Sequence, residues 1–306
     1  MANINGKEFP EQLIEKIISD IKEKRELGAI EESFVRDILI RELQSNQKIV
    51  SFILEHELRT LSRADRYKEI IKRVRAKLRV VYGVFQTGKE SEKLELLEEL
   101  KKVVWRTKEI DLTIDIHKKL LEKHLSSKER LPYYEEVYRS IWRFTGKPHS
   151  IIDLGCGLNP LSFPFMGLNK VDYYASELNT VDVNFLNAYF DIMEVFGLNG
   201  KAIQQDLSGL SASEALFKTF PKSDVAFMFK LLDSLKVPRK SKKLDELIIE
   251  RVPARWVIVS FPTKTIGSRS MSVTQRGWVE KLSQRKGWKC SHIKVGDEIF
   301  YIIKKF

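Results

Sequence analysis

Apolar positions recur every three or four residues through 9–27, 30–60, 63–86, 91–104 and 108–123, with few glycines among them, and predict helices there. Near residue 150 the period changes. Short β-branched or aromatic runs, SIIDLG, DYYASE, KAIQQD, DVAFMFK and RWVIVSFP, alternate with helix-sized segments, the pattern of five parallel strands covered on both faces. GWKCSHIKV and EIFYIIKKF follow, separated by Gly296 and Asp297, and predict an antiparallel hairpin. The chain therefore reads as an all-helical N-terminal module, residues 1–123, ahead of a doubly wound, Rossmann-like α/β domain, residues 124–306. No repeat, low-complexity tract or long linker interrupts it.

Composition narrows the class. At 306 residues and 43% hydrophobic composition the chain can bury a substantial core. No stretch approaches the length a membrane span needs, and MANINGKEFPEQL lacks the apolar core of a signal peptide, so a cytoplasmic protein is expected. Two cysteines, Cys156 and Cys290, suit neither a disulfide framework nor a cysteine-built metal site. No metal is expected, and the chain is read as a monomer. The formal charge of +11 favours a polyanionic partner.

IIDLGCGLNP, at 151–160, is a strand running into a glycine turn. A dinucleotide fingerprint requires a third glycine for close helix packing, and Pro160 stands in that slot. Asp153, Gly155 and Gly157 instead form the D-x-G-x-G pattern that suits S-adenosylmethionine: two glycines admit the ligand close to the backbone, and the carboxylate below orients its amino-acid end. Glu177 ends the next strand, 22 residues after Gly155, where an acid can accept both ribose hydroxyls. Asp206 ends the third strand, within reach of an adenine amino group. Taken singly, Glu177 or Asp206 could equally cap the helix that follows.

HLSSKERLPYYEEVY at 124–138, IIDLGCGLNPLSFPFM at 151–166 and SFPTKTIGSRS at 260–270 occur in that order. Together they resemble the motifs of the aminoglycoside-resistance 16S rRNA (guanine-N7) methyltransferases. The resemblance implies a class I S-adenosylmethionine-dependent methyltransferase fold behind a helical module that docks on the 30S ribosomal subunit. It also implies transfer of a methyl group to N7 of guanosine 1405 in the decoding site, a mark that obstructs gentamicin and kanamycin. Carried over by position, it places Arg130 on the methionine carboxylate. Asp153, Gly155, Cys156 and Gly157 would lie around the methionine, Glu177 and Leu178 at the ribose, and Asp206 and Leu207 at the adenine. Phe229 and Lys230, where the fourth strand ends, complete the cofactor set, and His124, Ser126 and Ser127 would shape the entrance. The residues alone also allow a helix start here, with Ser126 as N-cap and Glu129 closing a capping box. Asp233 departs from the pattern, standing where the family carries proline.

Basic residues suggest where RNA lies. In DRYKEIIKRVRAKLRVVYG, Tyr67, Ile71, Val74, Leu78 and Val81 share one helix face, while Arg66, Lys68, Lys72, Arg73, Arg75, Lys77 and Arg79 populate the rest. Residues 230–243 add Lys236, Arg239, Lys240, Lys242 and Lys243, and the segment after the fifth strand adds Lys264, Arg269 and Arg276. Facing 16S rRNA, such residues supply affinity and register without reading sequence. Phe163, Phe261 and Trp278 could stack on an extruded base, though each reads equally as a core residue and none is singled out as the platform. Guanine N7 carries a lone pair and no proton, so its methylation needs positioning rather than a general base, and no catalytic residue is assigned. Two other readings stay open: a different RNA target such as adenine N1, or a cofactor-binding ribosome-assembly factor without turnover.

Overall fold

The computed structural model describes residues 2–306 apart from 5, 25–26, 29, 31, 57, 79–89, 208–217, 236–241 and 265–275. The chain divides into two compact units, Met1–Val84 and Phe85–Phe306.

The first unit opens with a feature that an all-helical module does not contain. β1 (Ala2–Ile4) and β2 (Lys7–Phe9) pair antiparallel around Gly6, whose φ of 80° suits a residue without Cβ. Ile4 and Phe9 are fully buried. Five helices follow among the described residues: α1 (Glu11–Lys22), α2 (Glu32–Gln44), α3 (Gln47–Glu55), α4 (Leu58–Leu61) and α5 (Asp65–Leu78). The single helix expected over 30–60 is broken because Asn46 caps α3, its Oδ1 accepting from the Ile49 amide at 3.3 Å. Tyr67, Ile70, Ile71, Val74 and Leu78 line the buried face of α5, as the helical spacing predicts.

The second unit begins with α6 (Glu90–Thr107), α7 (Ile114–Leu121), α8 (Leu125–Arg130) and α9 (Tyr134–Thr145). The strands are β3 (Ser150–Leu154), β4 (Val171–Glu177), β5 (Leu198–Gln204), β6 (Ser223–Phe229), β7 (Ala254–Pro262), β8 (Lys289–Val295) and β9 (Glu298–Lys304). Between them run α10 (Thr180–Met193), α11 (Leu231–Leu235), α12 (Lys242–Arg251) and α13 (Gly277–Arg285).

The seven strands form one sheet in the order β5-β4-β3-β6-β7-β9-β8, with β9 antiparallel to both of its neighbours and the others parallel. Alternation along β3 divides the core: Ile151 packs with α6, α7, α9 and α10, whereas Ile152 packs with α11, α12 and α13. Leu97, Leu100, Val104, Ile116 and Leu120 belong to that first cluster, so α6 and α7 share the core of the sheet. By packing, the division of the chain therefore falls between Val84 and Phe85, not at 123.

Candidate functional site

β3 pairs with β4 on one side and β6 on the other, so successive crossovers leave it in opposite directions. That reversal opens a crevice beyond the carboxyl ends of β3 and β6, where α/β sheets of this kind receive ligands. The chain enters it through Gly155 and Gly157, at φ 57° and 52°. A Cβ on Gly155 would stand 2.5 Å from Leu231 Cδ1, and one on Gly157 would stand 2.8 Å from the His124 ring. Both positions demand glycine by conformation and by space. Cys156 between them is buried, its amide donating to the Ser176 carbonyl at 2.9 Å.

Asp153, at the end of β3, is fully buried. Its Oδ2 accepts from Asn159 Nδ2 at 2.9 Å and from the Tyr173 hydroxyl at 2.6 Å. Its Oδ1 is sealed from solvent and has no hydrogen-bond partner among the described residues. Burial pushes the carboxyl up to about 6, against the pull of Tyr173, Asn159 and Arg130. A buried acceptor without a donor is costly, so this atom is one that a ligand ammonium or ordered water would satisfy.

Arg130 ends α8 and is almost completely buried. Its Nε and Nη2 donate to the two oxygens of Glu298 at 3.1 and 2.9 Å, and its Nη1 donates to Asn159 Oδ1 at 3.2 Å. The guanidinium lies 4.7 Å from the centre of the Phe229 ring and 5.6 Å from that of Tyr134. Asn159 thus joins Arg130 to Asp153. Glu298 opens β9; burial works against its charge, but Arg130 and Lys230 outweigh it and hold the carboxyl below its ordinary value. The Ser260 hydroxyl also donates to Glu298.

At the end of β4, Glu177 accepts from the Gly157 amide through Oε2 and from the Leu178 amide through Oε1, both at 2.8 Å. Burial, then the nearby Asp182, push it up to about 7, against those backbone donors. Lys93 of α6 pairs with Asp182 at 2.6 Å in a buried contact. Glu177 does not cap α10: Asn179 does, its Oδ1 accepting from Val181 at 2.8 Å. Asp206 lies half-buried just past β5, and Leu207 packs in the core.

Several expected side chains are otherwise engaged. Phe229 is buried, stacked on Phe227 with ring centroids 4.6 Å apart, and serves as a floor for Arg130. Lys230 holds φ at 55°, donates its amide to Ser260, and reaches Glu129 with Nζ at 2.6 Å and Glu298 at 3.7 Å. Its ammonium is therefore held by carboxylates of this chain, and Glu129 closes no capping box. α8 starts at Leu125 with His124 at its N-cap, placing Ser126 and Ser127 inside the helix, buried. Phe163 and Phe261 are core residues, and Trp278 is half-buried edge-on to Phe261. Phe163 and Phe261 therefore offer no open face.

The basic residues divide similarly. In the first unit, Lys72 is exposed, but Arg73 pairs with Glu69 at 2.5 Å, Lys77 with the buried Glu42, and Arg75 donates to the carbonyls of Asp20 and Ile21. In the second, Lys264 meets Asp297 at 2.8 Å and Arg276 meets Asp233 at 3.1 Å. Arg79, Lys236, Arg239, Lys240 and Arg269 lie outside the described residues. Among the described residues no group of His, Cys, Asp and Glu is arranged to hold a metal, and no helix is long and apolar enough to cross a membrane.

Sequence reasoning did not find Glu298, Asn159 or Tyr173. The one available signal was an acid opening an otherwise apolar last strand, EIFYIIK.

A seven-stranded sheet with this order, its antiparallel last hairpin and a glycine loop between Asp153 and Glu177 make up the fold of the class I S-adenosylmethionine-dependent methyltransferases. The profile of the family described as "Ribosomal RNA methyltransferase (FmrO)" matches residues 45–302, and the chain belongs to that family. A relative from Frankia casuarinae named 16S rRNA (guanine(1405)-N(7))-methyltransferase is 26% identical, covering 96% of this chain and 95% of its own. One of the same name from Micromonospora rosea is 27% identical over 78% of this chain and 83% of its own. The solved 16S rRNA methyltransferase RmtF, in complex with S-adenosyl-L-homocysteine, superposes with a TM-score of 0.70 at 20% identity, covering 97% of this chain and all of the other. The solved 16S rRNA methylase RmtB superposes with a TM-score of 0.64 at 20% identity, over 97% and 100% of the two chains.

Proposed function

We propose that this protein methylates N7 of guanosine 1405 in 16S rRNA, acting on the 30S subunit as a cytoplasmic monomer, and so confers aminoglycoside resistance. The observation that carries this reading is the unsatisfied Asp153 Oδ1 beside an anchored Arg130 in the crevice, in a chain whose full-length relatives bear that activity in their names.

S-adenosylmethionine, when bound, supplies an electrophilic sulfonium methyl group. The chain's residues hold it. Asp153 Oδ1 takes a hydrogen bond from the amino group, directly or through water, and Arg130 faces the carboxylate with the nitrogen that Glu298 leaves over. Glu177 exchanges a backbone partner for the ribose hydroxyls, with Leu178 beside it. Asp206 and Leu207 receive the adenine. On the RNA side, exposed Lys72 grips phosphate, while Arg73, Arg75 and Lys77 are oriented by their internal partners. Guanine N7 attacks with a lone pair and loses no proton, so alignment is the enzyme's main contribution.

The test is incubation of the protein with labelled S-adenosylmethionine and unmodified 30S subunits, followed by borohydride and aniline cleavage and primer extension. A stop at guanosine 1405 supports the target and the atom together; label elsewhere moves the target.

A further inference from the structure

Phe163 and Phe261, candidates to stack on RNA, are packed inside, and another aromatic ring at the same edge of the sheet is open. Tyr133 follows Arg130 by three residues, between α8 and α9, and is 38% exposed. The ring is nevertheless fixed. A Cβ on Gly296 would stand 2.7, 2.8 and 3.0 Å from Cε2, Cδ2 and Cζ, three consecutive ring atoms. Near-equal distances to three neighbours place that point over the face of the ring and not beyond its edge. One face of Tyr133 thus rests on the β8–β9 turn at Gly296, whose φ is 55°.

That turn gathers other groups. Asp297 holds Lys264 Nζ at 2.8 Å, with the lysine side chain 44% exposed, and Glu298 holds Arg130. A half-open ring beside an accessible ammonium, carried by the segment that also carries the cofactor's arginine anchor, has the composition of a contact for a base and its phosphate.

We propose that Tyr133 is the stacking platform for the target base, its outer face receiving the purine while Lys264 meets an adjoining phosphate. The inference rests on the guanine-N7 reading and adds a role in the reaction. As the N7 lone pair forms the new N–C bond, the C–S pair returns to sulfur and the positive charge passes from sulfur to the purine; no proton moves. An electron-rich ring against that purine interacts more strongly with the cationic product than with the neutral base, which favours the transition state over the ground state.

The experiment compares wild type, Tyr133→Leu and Tyr133→Phe by calorimetric S-adenosylmethionine affinity and by steady-state methylation of 30S subunits, with the modified nucleotide mapped in each. Tyr133→Leu is expected to lower kcat about tenfold to a hundredfold with cofactor affinity within about twofold of wild type, and Tyr133→Phe to recover most of that loss. Wild-type kcat and KM in Tyr133→Leu, or a loss of cofactor affinity matching the loss of rate, overturns the assignment while leaving the proposed function standing. A wild-type protein that leaves no guanine-N7 mark on 30S subunits overturns the proposed function, and this inference with it.

Discussion

Arg130 and Glu298 stand 168 residues apart and form a two-point ion pair that is nearly sealed from water. The carboxylate takes Nε and Nη2, leaving Nη1 toward Asn159 and the crevice. Glu298 thereby fixes the plane of the guanidinium before any ligand arrives, which reduces the ordering that binding must supply.

Removing one partner leaves a buried charge uncompensated. Glu298→Ala is expected to lower stability by about 3–5 kcal/mol, read as a fall in the urea midpoint with an unchanged slope, and to weaken S-adenosylmethionine binding. An apolar replacement of both partners, Arg130→Met with Glu298→Leu, should recover much of the stability and none of the binding. Full cofactor affinity in Glu298→Ala would show that Arg130 orients itself.

Asp153 and Glu177 are both lifted by burial, to about 6 and about 7, from ordinary values of 3.8 and 4.5. Between the ordinary and shifted values the folded chain holds protons that the unfolded chain has released, so the contribution of these groups to stability falls as pH rises through that window. Cofactor binding runs the other way. In the proposed binding mode it uses the carboxylates, so affinity is expected to fall as pH drops from about 8 to about 5.5, with net proton release near pH 6 to 7. Calorimetry in buffers of different ionisation enthalpy measures both, and Asp153→Asn should flatten the acidic limb. A flat profile in the wild type excludes these acids from the binding step.

At Gly155 conformation and space impose separate costs. Gly155→Ala puts a methyl group into Leu231 and a side chain at φ 57°, the latter alone costing about 1–2 kcal/mol. It should abolish detectable S-adenosylmethionine binding and lower the melting temperature. Adding Leu231→Ala relieves the clash only, so partial recovery of stability is expected; complete recovery would mean that the backbone angle is dispensable.

The basic face of α5 is not uniform. Lys68 and Lys72 are exposed, whereas Lys77 and Arg73 neighbour the buried Glu42. Lys68→Glu with Lys72→Glu is expected to weaken 30S binding, to reduce its salt dependence by about one to two ions, and to leave the melting temperature unchanged. Lys77→Glu should instead destabilise the first unit by setting two carboxylates together. Filter binding over a salt series, with thermal melts alongside, separates the two.

What was legible in the sequence was local. The strands and the crevice loop could be read because each is written in consecutive residues: Asp153, Gly155 and Gly157 by spacing, Glu177 by its place at a strand end. Glu298 could not, because its role depends on β9 lying beside β7, which brings its carboxylate to an arginine far upstream. The basic residues were over-read for the same reason. Lys230, Arg276 and Lys77 look unopposed along the chain, but each meets an acid from another segment. Phe163 and Phe261 could be read equally as core or as stacking residues, because burial is a property of the packed sheet, which makes them core. The opening ribbon was announced only by Gly6 and two short apolar positions, too brief for periodicity to register.

The last hairpin also gives the cofactor a part in assembly. The Arg130–Glu298 contact, 168 residues apart, joins distant stretches of the second unit and closes a long loop, the kind of contact that forms slowly. Before it forms, the glycine loop can be complete while Arg130 has no carboxylate to orient it. If Arg130 holds the methionine carboxylate as proposed, S-adenosylmethionine distinguishes a finished sheet from one still missing its edge, and by mass action draws the chain toward the finished one. In hydrogen exchange, that gives β9 amides whose protection rises with cofactor concentration, although they lie outside the glycine loop.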